Sequence, residues 1–227
     1  MEKYAIIVAG GEGTRLGGGL PKQFRELAGR PVLWWSLKAF HEEDPDVKLR
    51  VVIHPGFFDE WDILVNSLPE NERIPHEVVC GGRSRTESVR NGLNAVPASD
   101  DVLVAIHDAA RPLVSVEMIS AGWEAALPTG GAVPAVPVTD SLRRLTAGGS
   151  EAVDRSGYVA VQTPQVFRAG MLKRAYDELP GAVYSDDATA FEAAGGKVAL
   201  FQGSPDNVKI TNPGDIEAVE LRMRNRK

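Results

Sequence analysis

The sequence predicts an α/β fold, in which a Rossmann-like, doubly wound and mostly parallel sheet is flanked by helices and carries a projecting β-arm. Three observations support this prediction. Apolar runs rich in β-branched residues recur along the chain, segments with helical spacing separate them, and residues 138–162 interrupt the alternation. With 227 residues, of which 43% are hydrophobic, the chain can bury the core of one domain over residues 1–227.

The apolar runs are the predicted strands. Runs that are apolar throughout are typical of parallel strands that helices cover on both faces. Strands that alternate with helices in this way build a doubly wound sheet. The runs occupy residues 5–9, 49–53, 76–80, 102–106 and 131–136, and a later strand is predicted at 197–201.

Helix start signals lie between the strands. Proline fits the first turn of a helix, and serine followed three residues later by glutamate can bind the unpaired N–H groups there. These signals are Pro31 before residues 32–40, Ser84 with Glu87, Ser115 before residues 116–127, and Asn212-Pro213 before the last helix. Two further helices are predicted near residues 168–179 and 186–194.

Residues 138–162 form the predicted arm. They read as short strands around the turn "TAGGS", with charged residues such as Arg143, Arg144 and Arg155. A two-stranded arm is only marginally stable alone, so it is expected to pack on another subunit. A mobile surface hairpin is the alternative that the sequence leaves open.

Composition limits the function classes. The net charge of -6 argues against a nucleic-acid surface, which needs a broad basic face. One cysteine, Cys80, allows no disulfide within the chain and is expected in the core. The first apolar run, residues 4–9, is too short for a signal peptide, and no run is long enough to span a membrane. We therefore expect a cytoplasmic protein that contacts no membrane.

A glycine-rich loop follows the first predicted strand directly. It carries glycines at positions 10, 11, 13, 17, 18 and 19, together with Arg15 and Lys22. Glycines let backbone N–H groups turn toward a bound anion. A guanidinium forks onto phosphate oxygens, and an ammonium adds a compact positive charge. The loop is neither a Walker loop nor a clean Gly-x-Gly-x-x-Gly, and we interpret it as a phosphate-binding loop of another kind.

Five segments carry a resemblance to a known family. The opening "AGGEGTRL" with "PKQF" is similar to that of nucleotidyltransferases that make nucleotide-diphospho sugars and alcohols. The other segments are "GGRSRTESVRNGL" (81–93), "HDAARPLV" (107–114), "VDRSGYVAVQTPQVF" (153–167) and "NVKITNPGD" (207–215). Together they resemble the 2-C-methyl-D-erythritol 4-phosphate cytidylyltransferases of the non-mevalonate isoprenoid pathway, over essentially the whole chain. The resemblance implies transfer of CMP from CTP to a small alcohol phosphate, with release of pyrophosphate.

This chemistry brings two polyanions together, so catalysis is mainly positioning and charge neutralisation. The resemblance implies that Arg15 and Lys22 hold the triphosphate and that Lys209 reaches the α-phosphate. It also implies that CTP contacts a set of loop residues, with the cytosine near the second group: Ala9, Gly10, Gly11 and Gly13, then Gly81, Gly82 and Ser88, and in addition Asp108.

Asp108 follows a predicted strand, at the carboxyl end where open α/β sheets bind ligands. A single carboxylate among phosphates suits Mg²⁺ or another divalent cation, so Asp108 is the candidate metal ligand. A turn or helix-capping aspartate is the alternative reading of the residue alone. The neighbouring His107 is expected to be structural, because a phosphate nucleophile needs no general base at neutral pH.

For the acceptor phosphate, the resemblance implies four residues: Arg111, Ser141, Arg155 and Thr163. Ser141 and Arg155 fall on the predicted arm. In the family the arm of one subunit completes its neighbour's site, so the resemblance implies a homodimer. Ser141 stands where threonine is usual, which retains the hydroxyl, and Leu16 stands where methionine is commoner.

Two other functions remain open at this point. One is the similar ribitol 5-phosphate cytidylyltransferase, which shares the loop and the chemistry. Ala110 in "HDAARP" favours the methylerythritol family, because valine is more usual there in the ribitol family. The other is a CTP-binding module without turnover, against which the retention of Arg15, Lys22, Asp108 and Lys209 argues.

Overall fold

The computed structural model describes residues 1–11, 20–178, 182–212 and 214–225. Within these ranges the strands are β1 (Glu2–Ala9), β2 (Glu26–Leu27), β3 (Arg30–Pro31), β4 (Lys48–Ile53), β5 (Glu77–Cys80), β6 (Val102–Asp108), β7 (Gly131–Pro137), β8 (Leu142–Thr146), β9 (Gly149–Val153), β10 (Val159–Val161), β11 (Gln165–Arg168) and β12 (Ala199–Gln202). The α-helices are α1 (Val32–Glu43), α2 (Phe58–Ser67), α3 (Arg85–Asn94), α4 (Val116–Thr129), α5 (Ala169–Glu178), α6 (Asp187–Ala193) and α7 (Asp215–Asn225). Predicted and observed elements agree in type and, with offsets of a few residues, in position.

The main sheet of the described residues has the order β10-β7-β11-β6-β1-β4-β5, and β12 also pairs with β7. Strand β1 lies parallel to β4 and β6, β4 is parallel to β5, and β7 is parallel to β12. Strand β11 is antiparallel to β6 and β7, and β10 is antiparallel to β7. The predicted mostly parallel sheet is therefore confirmed.

Successive residues of β1 point to opposite faces of the sheet, as the pleat of a strand requires. Ala5 and Ile7 pack in one buried cluster with side chains of α1, α2 and α4. Tyr4 and Ile6 pack in a second cluster with side chains of α3, α5 and α6. Helices thus cover both faces, which explains why the central strands are apolar throughout. A third cluster joins α1, the segment after β6 and α7.

Helix starts agree with the signals in the sequence. The Ser84 hydroxyl accepts a hydrogen bond from the Glu87 N–H at 3.1 Å, and the Ser115 hydroxyl accepts one from the Met118 N–H at 3.2 Å. Each bond binds a donor that the first helical turn leaves unpaired. Helix α4 ends at Gly130, which has a φ of 80° and donates to the Ala126 carbonyl. A left-handed residue at this place is a common helix terminator.

The predicted arm is present as a hairpin. Strands β8 and β9 pair in register from Leu142 with Val153 to Thr146 with Gly149, and they pair only with each other within the described residues. The chain then returns to the main sheet through β10. Leu145 on the hairpin is 85% exposed, and Tyr158 beside β10 is 53% exposed.

Two expectations were wrong at the far edge of the sheet. The strand predicted at residues 76–80 to be buried on both faces is β5, which pairs only with β4 and is largely exposed. Cys80, expected in the core, is exposed. A short apolar run does not reveal whether its strand is central or at an edge, because that depends on partners distant in sequence. Among the described residues, no helix is long and apolar enough to cross a membrane. The cytoplasmic location stays a prediction.

Candidate active site

A cleft of about 720 Å³ opens at the carboxyl ends of β1, β4 and β6. Its size is in the range of small-molecule sites, and its position is where open α/β sheets bind ligands. Gly10 and Gly11, the residues at the start of α3 and the cationic side chains of Lys22 and Lys209 line it. Its lining residues include Gly10, Lys22, Gly82, Arg85, Asp108 and Lys209.

The glycine wall is closely packed against α3. A Cβ atom on Gly10 would lie 2.7 Å from the Ser88 Oγ, so only glycine fits without displacing Ser88. The Ser88 Oγ in turn accepts a hydrogen bond from the Gly82 N–H at 3.0 Å. Gln23 is a buried residue that also lines the cleft, and its amide donates to the carbonyls of Ala9 at 2.7 Å and Gly11 at 2.9 Å. These bonds fix a backbone surface on one side of the cleft.

Two lysines from opposite ends of the chain meet in this cleft. The Lys22 Nζ donates to the Ile210 carbonyl at 2.7 Å, which joins the loop after β1 to the segment that carries Lys209. The Lys209 Nζ lies 2.7 Å from the Asp108 Oδ2. Lys209 lies in a segment of irregular structure between β12 and α7. A lysine without ladder constraints can reach a ligand more easily than one in a sheet.

Asp108 is the last residue of β6 and forms the floor of the cleft. Its Oδ2 also lies 3.9 Å from the Arg111 Nε, and its Oδ1 lies 3.4 Å from the Arg85 Nε. Burial by itself favours the neutral carboxyl, but the charges of Arg85 and Lys209 overcome this effect and hold the pKa of Asp108 well below its usual range. The carboxylate is therefore ionised at neutral pH.

Behind this floor, His107 is fully buried and has two partners. Its Nε2 lies 3.2 Å from the Arg111 carbonyl, which can only accept, so Nε2 carries the proton. The Thr163 hydroxyl lies 3.1 Å from the His107 Nδ1 and accepts the Asp108 N–H at 3.1 Å. Burial lowers the pKa of His107 to about 4, so the ring is neutral. These contacts support the expected structural role, although the sequence did not reveal the partners.

The predicted site residues fall into three groups. Those that line the cleft are Ala9, Gly10, Gly11, Lys22, Gly82, Ser88, Asp108 and Lys209. Those that do not line it are Gly81, Arg111, Ser141, Arg155 and Thr163. Gly13 and Arg15, with the neighbouring Leu16, lie outside the described residues.

The residues that do not line the cleft occupy different places. Gly81 lies directly beneath the wall, where its N–H donates to the Ile53 carbonyl at 2.7 Å. Arg111 and Thr163 are packed behind Asp108, and an Arg111 amino group donates to the Asn207 carbonyl at 2.7 Å. Ser141 precedes β8, and Arg155 follows β9 and donates to the Thr139 carbonyl. The last two are therefore on the arm, as predicted.

Sequence reasoning missed two residues that organise the cleft. Gln23 belongs to the "PKQF" segment that carried the resemblance, so its position was a usable signal. Arg85 lines the cleft and contacts Asp108. It lies within "GGRSRTESV", a segment in which only the glycines and Ser88 were predicted to bind CTP. The second partner of Arg85 is Asp187, which lies 2.7 Å away and far along the chain. No local pattern identifies such a pair.

A cleft at the carboxyl ends of parallel strands, lined by glycines, two lysines and an ionised aspartate, is the kind of site that nucleotidyltransferases need to bind a nucleoside triphosphate. Comparisons with known proteins give the particular kind. The family model of 2-C-methyl-D-erythritol 4-phosphate cytidylyltransferase matches residues 4–225. The chain belongs to this family, and it is a cytidylyltransferase.

Relatives support the same assignment over nearly full length. The enzyme of this name from Porphyromonas gingivalis is 44% identical over 225 residues, which are 98% of each chain. That from Phocaeicola vulgatus is 39% identical over 221 residues, covering 97% of this chain and 99% of the relative. The solved structure from Thermus thermophilus is 33% identical with a TM-score of 0.76, and covers 99% of this chain and 100% of that one. The structure from Francisella tularensis is 30% identical with a TM-score of 0.77, covering 98% and 100%.

Proposed function

We propose that this chain transfers CMP from CTP to the phosphate of 2-C-methyl-D-erythritol 4-phosphate, giving 4-(cytidine 5'-diphospho)-2-C-methyl-D-erythritol and pyrophosphate. The observation that carries the proposal is the meeting of Lys22 and Lys209 in one cleft that glycines also line. In an otherwise acidic chain, these local cations supply the charge that two phosphorylated reactants require.

In the proposed reaction, an oxygen of the acceptor phosphate attacks the α-phosphorus of CTP in line. A new phosphorus–oxygen bond forms as the bond to the bridging oxygen of the β-phosphate breaks, and pyrophosphate leaves with that bonding pair. No covalent enzyme intermediate and no general base are needed. Lys22 neutralises the β- and γ-phosphates, which leave as pyrophosphate. Lys209 turns from Asp108 toward the α-phosphate. Arg15 is proposed to bind the triphosphate as well.

The glycine wall is proposed to bind the nucleotide. Backbone of Ala9, Gly10, Gly11 and Gly13 approaches the phosphates and ribose, and the segment around Gly81, Gly82 and Ser88 reads the cytosine. The close approach of Gly10 to Ser88 supports this proposal, because it leaves a rigid surface of backbone groups. A rigid polar pocket rejects uracil by leaving its own groups unpaired.

Asp108 is proposed to hold Mg²⁺. The donor set fits this ion, since Asp108 is an ionised carboxylate at the edge of the cleft and Mg²⁺ takes few protein ligands beside phosphates and water. When bound, the ion would neutralise phosphate charge. No group of three or more His, Cys, Asp or Glu side chains suited to a metal occurs in the described part of the chain. The proposed Mg²⁺ site therefore uses oxygens of the substrate phosphates as further ligands.

The acceptor phosphate is proposed to bind near Arg111 and Thr163 from one subunit and Ser141 and Arg155 from the arm of another. Three features support a homodimer: the hairpin pairs only with itself among the described residues, its Leu145 is 85% exposed, and Arg155 does not line the cleft of its own chain. A two-stranded hairpin is only marginally stable alone, so an arm that pairs only with itself is typical of an element that packs on a partner.

A mixing experiment tests the shared site. Arg155→Ala and Lys209→Ala are each expected to be nearly inactive alone. If the arm completes the neighbour's site, subunit exchange between the two variants creates sites with neither defect, and about a quarter of wild-type activity returns on random pairing. A tagged subunit shows whether exchange has taken place. If the two variants exchange subunits in an equal mixture and no activity returns, the site is not shared through Arg155.

The activity itself is tested by pyrophosphate release with CTP, UTP, ATP and GTP, each paired with methylerythritol 4-phosphate or ribitol 5-phosphate. We expect turnover with CTP and methylerythritol 4-phosphate. Exclusive use of ribitol 5-phosphate would show that this compound, and not methylerythritol 4-phosphate, is the acceptor. Tight CTP binding without any product would support a CTP-binding module that has lost turnover. Identity of the released product by mass spectrometry completes the test.

A further inference from the structure

Arg85 stands at a position that its own helix does not favour. It is the first residue of α3, where the helix dipole is positive and an anion is preferred. Its side chain is only 26% exposed. The unfavourable interaction of this cation with the helix dipole, and the cost of its partial burial, must be offset by other groups in the fold. Two carboxylates do so.

The first carboxylate belongs to Asp187, which is fully buried and held on both oxygens. The Arg85 guanidinium donates to the Asp187 Oδ2 at 2.7 Å, and the Tyr176 hydroxyl donates to the Oδ1 at 2.6 Å. Burial and the nearby Asp187 raise the pKa of Tyr176 well above its usual range, so its hydroxyl remains a donor. The Asp187 N–H is itself bound to the Gln165 side chain at 3.0 Å. The guanidinium is therefore anchored in the core.

The second carboxylate is that of Asp108, whose two oxygens have different partners. Its Oδ2 contacts Lys209, whose side chain is 40% exposed, whereas its Oδ1 faces the anchored Arg85 at 3.4 Å. In the proposed reaction Lys209 turns toward the α-phosphate, which weakens its contact with Asp108. The contact between Arg85 and Asp108 can persist, because the hydrogen bond to the buried Asp187 holds the guanidinium in place.

We propose that Arg85, anchored by Asp187 and Tyr176, is a positioning residue for cytidylyl transfer, which keeps Asp108 in place when Lys209 leaves it for the phosphates. The inference rests on the proposed roles of Asp108 and Lys209. Tyr176 and Asp187 do not line the cleft, and they act on the reaction only through Arg85.

A double-mutant cycle tests this coupling. Tyr176→Phe removes one buried hydroxyl, and we expect kcat to fall about fivefold in the wild-type background and less than about twofold in the Asp108→Asn background. Tyr184→Phe is the matched control. Its ring packs edge-on against Tyr176 at 5.8 Å, and its hydroxyl has no hydrogen-bond partner within the described residues. Equal effects of Tyr176→Phe in both backgrounds, or an equal loss in Tyr184→Phe, would overturn the proposal.

Substitutions of Arg85 separate positioning from charge. Arg85→Lys keeps the charge, but a single ammonium cannot span two carboxylates as a guanidinium does. We expect Arg85→Lys to lose nearly as much kcat as Arg85→Met. Full activity of Arg85→Lys would show that charge alone matters and would sink the inference.

Binding of CTP gives a readout that does not depend on turnover. By calorimetry without acceptor, Tyr176→Phe is expected to reduce the gain in CTP affinity that Mg²⁺ confers, while CTP affinity without Mg²⁺ stays within about twofold. A general structural defect would weaken both. If the wild-type chain releases no pyrophosphate, the proposed function fails, and this titration still decides whether Arg85 is coupled to Asp108.

Discussion

Replacing Lys209 by alanine is the most direct test of the charge argument. At present its Nζ lies 2.7 Å from the Asp108 Oδ2, close enough to reach a phosphate bound above that carboxylate. Two unit charges about 4 Å apart interact by roughly 4 kcal/mol at an effective dielectric of about 20. The Lys209 side chain is 40% exposed, so solvent screens part of this energy. We expect kcat for pyrophosphate release to fall by about 100-fold, since each ~1.4 kcal/mol is tenfold in rate.

The assay is steady-state pyrophosphate release with CTP varied at saturating acceptor. The KM for CTP should change much less than kcat, because the contact with the α-phosphate strengthens in the transition state. Lys48→Ala is the matched control: it removes the same charge, but Lys48 lies at the start of β4, opposite the carboxyl-end cleft, and pairs with Glu2. A kcat within threefold of wild type for Lys209→Ala, or equal losses in both variants, would refute the reasoning.

Three further outcomes follow from single contacts. Gly10→Ala should displace the Ser88 hydroxyl and raise the KM for CTP by about tenfold, with a smaller effect for Gly11→Ala, whose Cβ would meet no described atom within 4 Å. Burial lowers the pKa of His76 below its ordinary value of 6.5, and its Nε2 accepts the Trp61 N–H. The unfolded state therefore takes up the proton first, and urea unfolding should show stability falling as pH drops below about 6.5. His76 contributes at most ~1.4 kcal/mol per pH unit to this slope, in addition to the contribution of the buried His107, so the slope should be shallower by up to that amount in His76→Gln. Ser115→Ala should lower the free energy of unfolding by about 1 kcal/mol while the KM for CTP is unchanged.

Central strands were predictable because their environment is uniform. Residues 102–106 of β6 are all buried and all apolar, which is the pattern expected of a strand covered on both faces. Helix starts at Ser84 and Ser115 were predictable for a local reason, since the capping hydroxyl and its N–H partner are three residues apart. The edge position of β5 was not predictable, because it depends on the absence of a second strand beside it, and strand neighbours are distant in sequence.

The same distinction applies to the site. Asp108 could be placed from the strand before it, and Lys22 from the glycine loop. Their partners could not, since Lys22 bonds to the Ile210 carbonyl and Arg85 to Asp187, contacts that span 188 and 102 positions of the chain.

Local patterns in this chain therefore specify the order of strands and helices, the phosphate-binding loop and, with the resemblance, the reaction. Folding adds the pairing of side chains across the sheet: the burial of Asp187 and Tyr176 behind Arg85, and the exposure of Cys80. Hydrophobic spacing and capping act over a few residues, whereas burial and the fields of opposing charges depend on distance in space, which no stretch of sequence encodes alone.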